Sequence, residues 1–395
     1  MNPSEACFWA LLRAGLWNDS GFLDKMPPPT HDQWREVLAL GQRTATLGIL
    51  LEAIPLLPNQ PPEWVRLECI SQRGGVMRAH TKHNKAIHSL MTLFRQWGVE
   101  SILLKGQGIA SQYSNPYARA CGDIDIYIGP EKLDPLLSLL EQQGITCEEE
   151  VDDNEKHAHF YFNDLAIELH RHSALMDSRR SDRLYQQWWA EGVGHGEALY
   201  VTPDGQMLTQ PQEGAEKVML APPEQNAFFL FYHAFHHFTS MGVQFRQFCD
   251  VARFLYTHKG RINLDILHAQ LTCHRLLHPW QVVGVYLHRC LGLPTDCIPF
   301  YDDTKDIRPL LRRLRKKCLY PRTPLIPRPN GRTASKLYSF YLHIVTSFEL
   351  LGCFPSVAGR LLWFRTTLGI AQFFNRANRT GNLEHYQKRT ASKDD

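Results

Sequence analysis

The spacing of apolar residues divides the chain into three parts. Up to about residue 98 they recur every three or four positions, which predicts helices over about residues 32–54 and from Pro62 onward, with Gly74–Gly75 as a candidate break. From there to about residue 170, short apolar segments alternate with polar positions, which predicts strands separated by helices. After about residue 215 helical spacing returns and continues to about residue 374.

The middle part predicts a small mixed sheet. Strands are predicted over residues 100–104, 123–128, 145–151, 157–162 and 165–170. A helix that starts near Ile109 follows the first strand, another ends at Gly144, and Asn163–Asp164 marks a hairpin turn. The predicted fold class is therefore α+β, with a small mixed β-sheet core between N-terminal and C-terminal helical regions. The predicted divisions are residues 1–85, 86–210, 211–380 and a tail at 381–395.

The most informative strand is Asp123–Ile128. Side chains alternate along a strand, so Asp123, Asp125 and Tyr127 point one way while three isoleucines form the buried face. Two adjacent carboxylates repel each other unless a cation neutralises them. Mg²⁺ takes oxygen ligands and is commonly shared with substrate phosphates, so the pair suits metal-assisted phosphoryl transfer. An exposed edge strand that carries two aspartates is the alternative.

Further candidate residues surround this pair. Glu168 faces the same way as His170 on the strand 165–170, and would converge with the two aspartates if the strands are neighbours. Lys105–Gly106 forms a turn between a strand and a helix, where backbone can approach phosphate closely. Arg119 could bind phosphate through its guanidinium group or form a surface pair.

Taken together, these motifs resemble a family of bacterial nucleotidyltransferases in the polymerase-beta-like superfamily. The resemblance covers about residues 85–255 and rests on Leu103-Leu104-Lys105-Gly106, then Tyr113, Pro116, Arg119, Gly122-Asp123-Ile124-Asp125, Glu168-Leu169-His170, and Phe245-Arg246-Gln247-Phe248-Cys249-Asp250. It implies a nucleotidyltransferase sheet that binds Mg²⁺ or Mn²⁺ and transfers a nucleoside monophosphate from an NTP. Asp123, Asp125 and Glu168 would then be the metal-binding and catalytic carboxylates.

The phosphate turn departs from the superfamily pattern, because Gln107 stands where Ser or Gly is usual and Asp123 follows after a longer gap. Lys105, Gly106 and Arg119 are predicted to bind the triphosphate. Arg246 and Asp250, four residues apart on a predicted helix, can pair with each other or face the nucleotide. His233, His236 and His237 also share a helix face, where they either bind a metal ion or pack in the interior.

Composition adds three expectations. The ten cysteines include no Cys-x-x-Cys pair, and the N-terminus lacks a signal layout, which together favour reduced thiols and a cytoplasmic protein. No apolar run reaches the length of a membrane span.

The net charge is only +3, yet residues 308–395 hold 17 Lys and Arg against four acidic residues. That basic region, sharpest at residues 312–317, could meet nucleic acid, an anionic membrane surface or a polyphosphate. The preferred interpretation is a solvated helix face that pairs with acidic residues of the same chain, although the region also suits an anionic acceptor.

The predicted activity is transfer of a nucleoside monophosphate from an NTP to an unidentified acceptor, with release of pyrophosphate. Two alternatives stay open from the sequence. One is a kinase-like phosphotransferase with the same metal site, which would release a nucleoside diphosphate. The other is a degenerate site that binds a nucleotide or a protein partner without turnover.

Overall fold

The computed structural model describes residues 2–149, 157–239, 244–320, 332–363 and 366. The chain divides into two compact units, one made of Met1–Met176 and Arg180–Pro321, the other of Asp177–Arg179 and Arg322–Asp395. The predicted fold class is confirmed, because the described residues are mostly helical around small sheets. The predicted domain boundaries stay predictions.

Four helices precede the first strand. They are α1 (Pro3–Trp17), α2 (His31–Arg43), α3 (Leu47–Ala53) and α4 (Glu63–Gln96). The Asn2 side chain caps α1 by accepting from the backbone amide of Glu5, and a reciprocal capping box joins Thr30 and Gln33 at the start of α2. These caps satisfy backbone donors that a helix start leaves without partners.

The main sheet has five strands in the order β1-β2-β5-β4-β3. Along the chain the elements are β1 (Ile102–Leu103), α5 (Gln107–Ala110), β2 (Ile124–Tyr127), α6 (Leu133–Gln142), β3 (Glu148–Glu149), β4 (His157–Phe162) and β5 (Leu165–His170). β2 and β5 run parallel, while the other neighbouring pairs are antiparallel. The predicted mixed sheet and the predicted hairpin of β4 and β5 are therefore confirmed.

A second, three-stranded sheet has the order β7-β6-β8. It follows α7 (Arg179–Glu191) and consists of β6 (Ala198–Val201), β7 (Met207–Leu208) and β8 (Glu216–Met219). The remaining helices are α8 (Pro223–Thr239), α9 (Arg246–Thr257), α10 (Leu264–Cys273), α11 (Leu277–Leu291), α12 (Arg308–Leu314) and α13 (Arg332–Leu351). Residues 355–363 are helical as well.

One face of the main sheet is apolar and packs on α4 and α6. Alternate residues of three strands contribute to it, as do the leucines of α6 and the second half of α4; they include Ile124, Ile126, Ala158, Phe160, Ile167, Leu169, Ile87, Leu90, Leu136 and Leu140. The β6 and β8 residues Leu199, Val201 and Val218 join the same cluster. Because strand side chains alternate, this packing turns Asp125 and Glu168 toward the opposite face, as predicted.

Four predicted element boundaries are wrong. The single helix over about residues 32–54 is two helices, since Ala45 between them has a positive φ of 57° and the Thr44 hydroxyl donates to the Leu40 carbonyl. The long helix continues through Gly74–Gly75 without a break. Its 34 residues form one continuous α-helix, and most of its buried side chains lie after the two glycines. The helix after the Lys105 turn is a single turn that starts at Gln107 and ends at Ala110. The strand predicted over residues 145–151 begins three residues later, at Glu148, where β3 spans Glu148–Glu149; residues 150 and 151 lie outside the described residues.

Among the helices of the described ranges, none combines the length and the hydropathy that crossing a bilayer requires. None of the ten cysteines, all of which fall in described ranges, forms a disulfide bond there. The tail predicted at residues 381–395 lies outside the described residues.

Candidate functional site

The candidate site is centred on Asp125 in β2, whose register partner in β5 is Glu168. Parallel pairing places these side chains next to each other on the polar face of the sheet. The next pair along the two strands is Tyr127 and His170. The convergence of strands 123–128 and 165–170 that the sequence required is thus present for Asp125 and Glu168.

Asp125 is almost completely buried, and its two carboxylate oxygens have different surroundings. Oδ1 lies 3.0 Å from the ammonium nitrogen of Lys105 and accepts a hydrogen bond of 3.0 Å from His170 Nε2. Oδ2 is buried without a hydrogen-bond partner. A buried carboxylate oxygen without a donor is costly, which makes it a natural ligand atom for a cation.

Glu168 extends the cluster toward β4. Its Oε2 lies 3.4 Å from His170 Nε2, and its Oε1 lies 3.7 Å from Nδ1 of His159, the cross-strand partner of Glu168. The Glu168 side chain remains about one-fifth exposed, whereas that of Asp125 is 1% exposed. Solvent or a substrate can therefore reach Glu168 more readily than Asp125.

The pKa values of the carboxyl groups are shifted in opposite directions. Burial opposes ionisation of Asp125, but the Lys105 ammonium and the hydrogen bond from His170 hold its pKa well below the usual value. Burial also opposes ionisation of Glu168, but the hydrogen bond from His170 and the charge of Lys105 lower its pKa. Desolvation, and then repulsion from Asp125, raises the pKa of Asp123. Two of the three groups are thus held as carboxylates.

Asp123 lies just before β2 and is exposed. Asp125, Lys105 and Glu168 all affect its ionisation, which places it beside the cluster. Its carboxylate belongs to neither group of closely spaced ligand atoms described below. The prediction that Asp123 binds a metal ion stays a prediction.

The turn at Lys105–Gly106 leads the chain from β1 past Asp123. Gly106 has φ 62° and ψ −121°, a conformation that only glycine adopts without strain. The backbone amide of Leu104 donates to the Asp125 carbonyl oxygen. Gly106 therefore permits the turn that brings the Lys105 ammonium to Asp125.

Arg119 and Asp250 are paired with each other. The guanidinium donates to both carboxylate oxygens of Asp250 over 2.9 Å each, and the Tyr113 hydroxyl donates to the same carboxylate over 2.8 Å. All three side chains are buried. This arrangement joins the segment before β2 to α9 and favours a positioning role for the pair over direct phosphate contact; the predicted phosphate contacts stay predictions.

Arg246 at the start of α9 lies over the segment that precedes β2. Its Nη1 donates to the carbonyl oxygens of Ala120 and Cys121, and its Nη2 donates to Gln244. Burial, and then repulsion from Arg119, lowers the pKa of Arg246, while Asp250 and Asp123 act in the opposite sense. Arg246 is therefore the cation that α9 brings near Asp123.

Sequence reasoning missed the function of Gln107. This side chain is buried, and its amide nitrogen donates to His80 Nδ1 and to Asn84 Oδ1, both on α4. His80 Nε2 in turn donates to the Arg119 carbonyl oxygen. Gln107 thus anchors the turn to α4, which gives this residue a structural role.

His157 and His159 of β4 were also missed. They alternate with Ala158 and Phe160 of the apolar core, and the hairpin pairs them with His170 and Glu168. The alternation was visible in the sequence, but their proximity to Glu168 depends on the strand register. His233, by contrast, contacts Gln247, and the trio His233, His236 and His237 is not among the potential metal-binding groups of the described residues.

Within the part of the chain that the structure describes, two groups of side chains could hold a metal ion. Asp125, Glu168 and His170 form one, and His157, His159 and Glu168 form the other; within each group the ligand atoms lie within 4.8 Å of one another. The first group includes the buried, unpartnered Oδ2 of Asp125. Its donor set therefore fits a divalent cation, with the imidazole making Mn²⁺ a better match than Mg²⁺.

Comparison with known proteins adds one family. A family model described as "Uncharacterised nucleotidyltransferase" matches residues 30–292, which is more than half of the chain and includes every residue of the site. No curated protein matches the chain, and no solved structure does either. The predicted resemblance is confirmed at the level of a nucleotidyltransferase family, whereas the polymerase-beta-like placement stays a prediction.

Proposed function

Because the chain belongs to the uncharacterised nucleotidyltransferase family, we propose that it transfers a nucleoside monophosphate from an NTP to an acceptor and releases pyrophosphate. The observation that carries this proposal is the Asp125–Glu168 pair on parallel strands, with Lys105 and His170 against it and one buried oxygen of Asp125 without a donor. Ionisable side chains whose pKa values are strongly shifted are concentrated at functional sites.

In the proposed reaction an acceptor oxygen attacks the α-phosphorus of the NTP. The bond from that oxygen to the α-phosphorus forms, the bond from the α-phosphorus to the bridging oxygen of the β-phosphate breaks, and pyrophosphate leaves. Glu168, the more accessible member of the central pair, takes the proton of an acceptor hydroxyl. Asp125 stays ionised because Lys105 and His170 hold it so.

Asp125 and Glu168, with His170 beside them and Asp123 at the edge, would hold the divalent cation. When bound, Mg²⁺ or Mn²⁺ supplies positive charge to the phosphate oxygens and to the leaving pyrophosphate. Lys105 orients Asp125, and the turn at Gly106 would bind the triphosphate through its backbone. Arg246 lies near Asp123, while the Arg119–Asp250 pair holds the segment before β2 against α9.

The test follows pyrophosphate release and label transfer together. The purified full-length chain is incubated with each α-labelled NTP, Mg²⁺ or Mn²⁺ and a cell extract as the source of acceptor. We expect transfer by the wild type and a loss of at least 100-fold in Asp125→Asn, because the amide cannot replace the carboxylate as a ligand. Chelation with EDTA should stop the reaction, and Mn²⁺ should restore it.

The matched control is Asp164→Asn at the tip of the β4–β5 hairpin. The Asp164 side chain is 98% exposed. The substitution makes the same chemical change as Asp125→Asn, on the same sheet but away from the site. It should retain full transfer. Release of a nucleoside diphosphate would instead indicate a kinase-like reaction, and tight NTP binding without any turnover would contradict the proposal in favour of a binding protein.

A further inference from the structure

We propose that His157, His159 and Glu168 form a second metal site, which takes a transition-metal ion of the Zn²⁺ class and shares only Glu168 with the carboxylate site around Asp125. This inference goes beyond the proposed nucleotidyl transfer and does not depend on it.

The geometry comes from the β4–β5 hairpin. His157 and His159 are two residues apart on β4, so both point to the polar face, and their rings lie 4.4 Å apart at 84°. Glu168 is the cross-strand partner of His159, with 3.7 Å between Oε1 and Nδ1. The ligand atoms of the three residues all lie within 4.8 Å of one another.

These separations suit a small tetrahedral ion. Zn²⁺ binds imidazole nitrogen and carboxylate oxygen at about 2.0–2.2 Å, which places neighbouring ligand atoms about 3.4 Å apart. Small side-chain rotations would therefore close the cluster around an ion. All three residues are half-buried, so such rotations need no repacking of the apolar face on the other side of the sheet.

The ligand chemistry distinguishes this site from the one at Asp125. Two imidazoles and one carboxylate form a His₂Glu set, which in zinc enzymes leaves the fourth position to water or substrate. Imidazole ligands favour Zn²⁺ and its neighbours in the first transition series, whereas Mg²⁺ prefers sites made of oxygen ligands. The group at His157 and His159 has two imidazoles against the one of the Asp125 group, so Zn²⁺ should prefer it over the Asp125 group.

Glu168 connects the two sites. Its Oε1 faces His159 and its Oε2 lies 3.4 Å from His170 Nε2, beside Asp125. One carboxylate oxygen of Glu168 therefore lies at the histidine site and the other lies at the Asp125 site. An ion at the two histidines would hold Glu168 in one orientation and so determine the direction in which its second oxygen points.

The experiment measures metal binding directly, without NTP. The tag-free, demetallated full-length chain is titrated with Co²⁺, a visible-absorbing substitute for Zn²⁺. We expect one ion with the strong visible absorption of tetrahedral Co²⁺. His159→Ala should weaken its binding by on the order of 100-fold, whereas Asp125→Asn should leave it unchanged. His195→Ala, which removes an exposed histidine elsewhere, is the matched control and should bind like the wild type.

Two outcomes would overturn the proposal. One is unchanged Co²⁺ binding in a folded His159→Ala chain. The other is loss of the tetrahedral spectrum in Asp125→Asn but not in His159→Ala, which would place the ion at the carboxylate site. Zinc X-ray absorption of the wild type needs no variant: two imidazole ligands would support the site, and a shell of oxygen alone would overturn it. Since none of these readouts involves transfer, failure of the proposed activity would be recognised separately.

Discussion

At the scale of single residues, the asymmetry of Asp125 is the central feature. Oδ1 receives the Lys105 ammonium and the His170 ring, while Oδ2 has no donor. An aspartate used only for structure would be expected to satisfy both oxygens in a buried position. The incomplete pairing therefore supports the proposal that a cation binds at Oδ2.

The Lys105–Asp125 contact predicts a pH-dependent loss of stability in Lys105→Met. Removal of the ammonium leaves a buried carboxylate with fewer partners, so the free energy of unfolding should fall by about 1–3 kcal/mol near neutral pH. Because the pKa of folded Asp125 is lowered, its stabilising effect is present above the pKa of the unfolded chain, about 3.9, and is lost as the pH falls. The difference between variant and wild type should thus shrink below about pH 4.

Urea denaturation across a pH series measures this difference. The control is Lys132→Met, which breaks the exposed pair with Glu100 and should have a much smaller effect. A deficit in Lys105→Met that stays constant down to acidic pH would show that the lost energy comes from packing rather than from the charge on Asp125.

The residue scale also marks a limit of prediction from sequence. The alternation around Asp123–Ile128 was sufficient to assign Asp125 to the polar face and the isoleucines to the core. The partner of Arg119 could not be found in this way, because Asp250 lies 131 residues farther along the chain. Gln107 looked like a departure from a phosphate turn, and only its buried contacts with α4 explain it.

At the scale of elements, the parallel pairing of β2 with β5 brings the site together. Strand faces and the hairpin were predictable from period-two alternation and from Asn163–Asp164, whose positive φ values of 51° and 56° suit a tight turn. The break between α2 and α3 was not, because it depends on tertiary contacts of Thr44, whose carbonyl oxygen accepts from the Arg246 amide. The strands of the second sheet have two to four residues, too few for a periodic signal.

The Arg119–Asp250 pair predicts strong coupling between the segment before β2 and α9. Arg119→Met or Asp250→Leu alone leaves a buried charge without its partner and should lower the free energy of unfolding by about 3–5 kcal/mol. The double variant should lose clearly less than the sum of the two, because neither charge then remains. Chemical denaturation of all four chains measures the coupling.

The control for this cycle is Arg308→Met, which breaks the exposed pair with Asp306 and should leave the midpoint nearly unchanged. Additive losses in the double variant would mean that the two side chains act independently, contrary to the bidentate geometry.

At the scale of the whole molecule, some arginines of the basic C-terminal region bind other residues of the first unit. Arg313 is buried and donates to the Phe238 carbonyl oxygen, and Arg315 pairs with Glu5. Pairing within the chain is present for Arg315, whereas Arg313 is buried rather than solvated, and the interpretation of residues 312–317 as a whole stays a prediction. The charge count alone could not distinguish such pairing from an anion-binding surface.

A chain that ends at residue 320 should retain nucleotidyl transfer. The candidate site lies within the first unit, and the family match ends at residue 292. Transfer assays on the truncated and full-length chains, with circular dichroism to verify folding, measure the effect. If basic residues beyond 320 bind an anionic acceptor, KM for the acceptor should rise while KM for the NTP stays the same; loss of all transfer by a folded truncated chain would contradict the prediction.

The two-residue turn at Asn163–Asp164 has a consequence for how this chain can vary in length. Exposed loop tips usually accept extra residues, because nothing packs on them. Here one added residue would shift β4 against β5 by one position, turn His157 and His159 away from Glu168, and place Ala158 and Phe160 on the polar face. The most exposed point of the hairpin should therefore be among its least tolerant to insertion.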